Sequence, residues 1–155
     1  MKPIISVIGG STCTHEEAVW AAMVGRLLAE QGAIVVCGGL GGVMEAVAKG
    51  VKAAGGITVG ILPGADPAAA NAYIDIPLAT RMGEMRNALV VQVAQALIAI
   101  GGGAGTLSEV ALAQRIGKPV VGLHDSFKAA LEIPRVSSPA DAVHWALEQA
   151  KRMVV

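Results

Sequence analysis

The chain has 155 residues, of which 54% are hydrophobic and 15% are charged, and its formal net charge is zero. This length suits one domain over residues 1–155, and the apolar content excludes an intrinsically disordered chain. The balanced charge and the scarcity of aromatic residues exclude a general attraction to nucleic acid or to an anionic membrane, so neither is an expected partner.

The N-terminus and the apolar segments predict a cytoplasmic protein. Residues 1–3 run directly into a strand-like segment, without the regions that mark a secretory signal. The longest apolar stretch, residues 88–100, contains Gln92 and Gln95 and is too short and too polar to span a bilayer. The two cysteines and three histidines show neither a disulfide framework nor the spacing of metal ligands, so no metal site is expected.

The first half of the chain alternates strands and helices. Apolar segments predict strands at residues 4–8, 34–37 and 58–62. Between them, one helix begins at a capping box over residues 14–17 and ends at Gly32, and a second helix runs from about residue 43 to residue 54. Glycines follow the first two strands, at Gly9-Gly10 and at residues 38–42.

The second half continues this alternation. The predicted strands are 74–76 at a sheet edge, 96–100 and 119–123, and the predicted helices are 84–93, 106–116 and 139 to about 153. Strands and helices that alternate at this spacing imply an α/β fold. We therefore predict a three-layer, doubly wound, mostly parallel sheet with right-handed crossovers, as in Rossmann-like domains.

Residues 96–109 carry the clearest functional signal. The apolar segment 96–100 suits a strand buried on both faces, and the glycines that follow let the backbone lie close to a ligand. The next helix, predicted to begin at Thr106, has unpaired N–H groups and a dipole that favours negative charge. The predicted phosphate contacts are the backbone N–H groups of Gly102, Gly103, Gly105 and Thr106, together with the Thr106 hydroxyl.

Three glycine-rich loops are predicted to follow strand carboxyl ends, where doubly wound sheets bind their ligands. We therefore expect these loops to face one crevice. The further contacts predicted there come from the first two loops and are Gly10, Ser11, Thr12, Gly39, Gly41 and Gly42. NAD is disfavoured, because residues 37–39 stand where the dinucleotide fingerprint has its acid and the glycine spacing is irregular. A P-loop NTPase is disfavoured further, because the sequence has no GxxxxGK[ST] segment.

Residues 101–109, with the sequence GGGAGTLSE, resemble the PGGxGTxxE motif of the LOG superfamily, whose members were long taken for lysine decarboxylases. Arg86 stands where that family carries an arginine, and residues 36–45 resemble its earlier glycine loop. The similarity covers nearly the whole chain. As a family, LOG proteins release free cytokinin base from its riboside monophosphate.

Three positions depart from those hydrolases. Gly101 replaces a proline, Asn87 replaces a lysine, and Glu45 stands where a glycine is usual. In these respects the chain resembles the branch that includes the molybdenum cofactor carrier proteins, which bind a phosphorylated pterin without turning it over. This resemblance implies a binding or carrier protein for a nucleotide or for a phosphorylated pterin such as molybdenum cofactor, with no required cofactor, as a homodimer or higher homo-oligomer.

The alternative is a phosphoribohydrolase that releases free base and ribose 5-phosphate from a nucleoside 5′-monophosphate. Arg86 would hold the phosphate through its planar guanidinium in either case. In the hydrolase, Glu109 would stabilise an oxocarbenium-like state or activate water.

Each of these residues has a structural alternative. The segment Thr106 to Glu109 is itself a capping-box sequence, and an isolated arginine such as Arg86 is usually a solvated charge. Glu45 either contacts ribose hydroxyls or favours the positive start of its helix.

Two further segments have structural expectations. His124-Asp125 ends a late strand on the ligand-binding edge, where we expect a loop-capping role. Met82, Met85 and the apolar residues 89–91 are expected in the core or in a subunit interface.

Overall fold

A computed structural model describes residues 1–124 and 131–153. Its centre is a sheet of seven strands in the order β4-β3-β2-β1-β5-β6-β7, and every neighbouring pair is parallel. The strands are β1 (Ile4–Gly9), β2 (Ile34–Cys37), β3 (Ile57–Leu62), β4 (Ile76–Ala79), β5 (Ala96–Ile100), β6 (Val120–Leu123) and β7 (Arg135–Val136). The predicted doubly wound α/β fold is confirmed.

Helices cover both faces of the sheet. They are α1 (His15–Glu30), α2 (Val43–Ala53), α3 (Asn87–Val93), α4 (Ala104–Arg115) and α5 (Pro139–Met153). Alternate residues of β5 point to opposite faces, so Ile98 packs in a core with α1, α2 and α5, whereas Leu97 packs with α3 and α4. Among the described helices, none has the length and apolar character that crossing a membrane requires.

The edge strand lies later in the chain than the predicted residues 74–76. At Asp75, hydrogen bonds to side chains replace the backbone hydrogen bonds of a strand pair. The Thr58 N–H donates to a carboxylate oxygen of Asp75 at 2.9 Å, and the Asp75 N–H donates to the Thr58 hydroxyl at 2.8 Å. Regular pairing begins one residue later, where Ile76 aligns with Val59. The predicted position of this strand was therefore wrong by about two residues.

The predicted helix over residues 84–93 is divided into two parts. Residues Gly83–Arg86 form a 3₁₀ turn, and α3 follows it. Val90 and Val91 are fully buried, as expected of core residues, whereas Met82 and Met85 are exposed.

Two glycines allow α1 and α2 to pack with their backbones in close contact. A Cβ atom at Gly50 would lie 1.9 Å from the carbonyl oxygen of Ala22, and one at Gly25 would lie 2.2 Å from that of Val47. Both positions therefore require a residue without a side chain. This packing holds the two helices whose preceding loops come together at the sheet edge.

Candidate ligand-binding site

The strand order reverses between β1 and β5, and a cavity of about 950 Å³ opens beyond the carboxyl ends of these strands. Such a switch point is where doubly wound sheets bind ligands. The cavity is bordered by the loops that follow β1 and β5 and by the start of α4. It is lined by these residues of the predicted set: Gly10, Ser11, Thr12, Arg86, Gly102, Gly103, Gly105, Thr106 and Glu109.

The structure does not bring the rest of the predicted set to this cavity. Gly39, Gly41, Gly42 and Glu45 are absent from its lining, and Gly42 and Glu45 border a groove between α1 and α2 instead. These residues are kept from the cavity because the second glycine loop packs against the first. The contact is so close that a Cβ atom at Gly42 would lie 2.2 Å from the Gly10 carbonyl oxygen. Of this loop, Gly38 and Leu40 reach the cavity.

Helix α4 begins two residues earlier than predicted. Gly103 occupies the N-cap position without a side-chain cap, and the first helical bond runs from the Leu107 N–H to the Gly103 carbonyl at 3.0 Å. The N–H groups of residues 104–106 precede that bond and have no partner within the helix. The capping box suggested for Thr106 and Glu109 was therefore wrong, because Thr106 lies within the first turn.

Arg86 is buried, with an exposed fraction of 6%, so the alternative of a solvated surface charge was wrong. Its Nε donates to the carbonyl of Ile61 at 2.8 Å, and one terminal nitrogen donates to the carbonyl of Gly38 at 3.4 Å. The other terminal nitrogen donates to the Asn87 side chain. A guanidinium has five N–H groups, so these bonds fix the side chain at the ends of β2 and β3 and leave two donors for a ligand.

Glu109 is also buried, with an exposed fraction of 8%. Burial raises the pKa of this carboxyl to about 8, although the charge of Arg86 lowers it, and the nearby Glu84 raises it further. At neutral pH the group is therefore mainly a neutral acid with an O–H donor. A neutral carboxyl avoids the repulsion that a carboxylate would exert on an anion in the same cavity.

The two cysteines are both free. Burial raises the pKa of the Cys37 thiol to about 11, so this group is protonated and does not provide a nucleophilic thiolate. Over residues 1–124 and 131–153, no three His, Cys, Asp or Glu side chains form a group that could hold a metal ion.

An aromatic pair that lines the cavity was not among the predicted site residues. Trp20, on α1, stacks on the imidazole of His124 with ring centroids 3.8 Å apart and an angle of 22° between the planes. The place of His124 at the end of a strand was a usable signal, but no local pattern marked Trp20. Asp125, which was grouped with His124 in the sequence, lies outside the described residues.

A parallel sheet with helices on both faces defines a Rossmann-like α/β protein, and the cavity lies at the switch point of its sheet. Within that class, the chain belongs to the SLOG cluster4 family, whose profile matches residues 2–152. The family relationship predicted from residues 101–109 and Arg86 is thereby confirmed.

Similar proteins cover almost the whole chain. An uncharacterized protein of Archaeoglobus fulgidus is 44% identical over 147 residues, which are 94% of this chain and 95% of that protein. The molybdenum cofactor binding protein of the phototrophic bacterium Rippkaea orientalis has a TM-score of 0.88 and 35% identity, over 100% of this chain and 99% of that one. The molybdenum cofactor carrier protein of Chlamydomonas reinhardtii has a TM-score of 0.83 and 34% identity, over 98% and 99%.

Proposed function

We propose that this protein binds a phosphorylated small molecule in the cavity at the switch point and acts as a binding or carrier protein. The observation that carries this proposal is that the unpaired N–H groups of the first turn of α4 and the free donors of Arg86 border one cavity. Helix N-termini and arginine both favour phosphate oxygens. The neutral form of Glu109 adds a donor beside them.

The similar structures support a phosphorylated pterin such as molybdenum cofactor as the ligand, since two of them are described as a binding protein and a carrier protein for that cofactor. A nucleotide presents the same chemistry of a phosphate joined to a planar heterocycle. A cavity of about 950 Å³ has room for either molecule. Arg86 and the loop residues Gly102 and Gly103 would hold the phosphate, and we propose no separate metal site.

The state of Glu109 favours binding over hydrolysis. The two hydrolytic roles predicted for Glu109, activation of water and stabilisation of an oxocarbenium-like state, need the ionised carboxylate. With a pKa of about 8, the carboxyl is protonated about ten to one at pH 7. Hydrolysis that uses Glu109 as a base or as a stabiliser of positive charge therefore has less support than reversible binding.

The test compares ligand-induced stability with product formation. The protein is heated with AMP, with a pterin monophosphate and with adenosine as a control without phosphate. A ligand present at about one hundred times its Kd stabilises the folded protein by about 2.7 kcal/mol. We therefore expect the two phosphorylated ligands to raise Tm by about 5–10 °C without release of free base. No shift with any phosphorylated compound would contradict the proposal. Base release that is lost in Glu109→Ala would establish the hydrolase instead.

We also propose that the protein is a cytoplasmic homodimer. The edge strand β4 supports an interface, because Ile76 and Leu78 on it have exposed fractions of 45% and 47%. Apolar side chains on an unpaired edge are usually covered. Light scattering should give twice the mass of the chain for the wild type and the mass of one chain for Leu78→Lys. A wild type that is monomeric at micromolar concentration would contradict the proposal.

A further inference from the structure

We propose that Trp20 and His124 form the ring-binding end of this cavity and receive the planar heterocycle of the ligand, while the start of α4 and Arg86 hold its phosphate. This inference rests on the proposed function and narrows the ligand class. It predicts a phosphorylated heterocycle, rather than a sugar phosphate or inorganic phosphate.

The strand order separates the two ends of the cavity. Arg86 is bound to the carbonyl of Gly38, immediately after β2, whereas His124 follows β6 directly. Between β2 and β6 lie β1 and β5, so the two strands are three spacings apart, which is about 14 Å. The glycine loop that leads to α4 follows β5, one spacing from β6. A phosphate at α4 therefore leaves room for a ring on the side of His124.

The chemistry of the two ends differs. Arg86 and Glu109 are buried polar groups, whereas the other end presents the aromatic pair of Trp20 and His124. Aromatic side chains are the usual partners of heterocyclic rings, since stacking is favourable for any planar base. Thr12 and Glu17 also line the cavity and add polar groups to it.

The fold holds the aromatic pair in place. His124 has a φ of +59°, a left-handed conformation that is uncommon for a residue with a side chain, and its N–H donates to the Val136 carbonyl of β7 at 2.8 Å. Its Nε2 atom is buried without a hydrogen-bond partner among the described residues. Within the described part of the chain, Nε2 therefore does not cap the loop, the role that we expected of His124. The imidazole ring stacks on Trp20 instead.

The closing experiment measures affinities for ligands with and without a ring. Isothermal titration compares AMP, GMP and a pterin monophosphate with ribose 5-phosphate, in the wild type and in Trp20→Leu, Trp20→Phe and His124→Asn. Asparagine tolerates the left-handed backbone, so the last change removes the imidazole with little strain. We expect the best ring-bearing ligand to bind the wild type at least about tenfold more tightly than ribose 5-phosphate. Trp20→Leu should abolish most of this difference in affinity between the ring-bearing ligand and ribose 5-phosphate, and Trp20→Phe should retain it.

The outcomes separate the two proposals. If ribose 5-phosphate binds as tightly as every ring-bearing ligand, or if Trp20→Leu weakens both kinds equally, the ring-binding end is refuted and phosphate binding stands. If no phosphorylated compound binds, the proposed function itself fails.

A second measurement needs no change in the cavity. The chain has two tryptophans, so Trp145→Phe in α5 leaves Trp20 as the single indole fluorophore. The ring-bearing ligand should quench this fluorescence at the concentrations where titration shows binding, and ribose 5-phosphate should not. Binding without any change in the emission of Trp20 would overturn the inference.

Discussion

Replacement of Glu109 by glutamine should make the protein more stable than the wild type at alkaline pH. Folding raises the pKa of Glu109 from 4.5 to about 8, chiefly by burial, so the folded state resists ionisation of a group that ionises freely when the chain is unfolded. Glutamine keeps the size and the hydrogen-bonding groups of the neutral acid and cannot ionise. The variant is therefore free of this pH-dependent cost.

The sign and size follow from proton linkage. Between pH 4.5 and about 8 the folded state binds more protons at this site than the unfolded state, so stability falls as pH rises. The contribution of the neutral acid is fully present below pH 4.5 and is lost by about pH 8. Each pH unit within this window costs about 1.4 kcal/mol, which amounts to about 3–5 kcal/mol across it.

The assay is urea denaturation at intervals from pH 5 to pH 9, for the wild type, Glu109→Gln and the control Glu45→Gln. Glu45 is an exposed acid on α2 outside the cavity, so its replacement removes the same charge without the burial. The free energy of unfolding of the wild type should fall relative to Glu109→Gln up to about pH 8 and run parallel above it. Wild-type and Glu109→Gln curves that stay parallel from pH 5 to pH 8 would refute the reasoning.

Three other predictions concern packing, the arginine and the edge of the sheet. Gly50→Ala places a Cβ atom against the Ala22 carbonyl oxygen and should destabilise the protein by about 1–3 kcal/mol in urea denaturation, whereas the control Gly64→Ala, with open space around it, should change stability by less than about 0.5 kcal/mol. Arg86→Lys retains the charge but not the planar set of donors that reaches Ile61 and Gly38, so it should weaken AMP binding at least about tenfold and lower stability by about 1–3 kcal/mol. The exposed Arg115→Lys is its control, and equal effects of the two changes would contradict the role of Arg86. Partial burial raises the pKa of Asp75, but hydrogen bonds from Lys52 and Thr58 outweigh it and hold the pKa below its ordinary value. Because a lowered pKa adds stability above the unfolded pKa that is lost as pH falls, Asp75→Asn should destabilise at pH 7 by about 1 kcal/mol and show a smaller difference near pH 3, and an unchanged difference at the two pH values would argue against this.

The sheet was largely predictable because its strands carry a local signal. The uninterrupted apolar residues of Ala96–Ile100 indicate burial on both faces, and β5 has the bounds that this pattern predicts. The edge was less predictable. At β4 the hydrogen bonds between Thr58 and Asp75 decide where pairing begins, and these residues are 17 positions apart in the chain. The two-residue β7 is too short to leave a periodic pattern.

The site was predictable to the extent that it depends on strand ends. Glycines after β1 and β5 marked the loops that meet at the switch point, and the superfamily motif marked Arg86 and Glu109. No pattern could show that Gly42 serves the packing of one loop on another, because the contact with Gly10 exists only between distant segments.

The sequence by itself determined the layers of the fold and the loops that offer free N–H groups, since periodicity and glycine content act over a few residues. Only the tertiary structure decided that Arg86 is buried between carbonyl groups, that Glu109 loses its hydration and that Trp20 meets His124. These features depend on which strands lie side by side. The strand order is set by the packing of the whole chain. It brings together segments that are far apart in sequence, and these segments determine the burial and the neighbouring charges of each side chain.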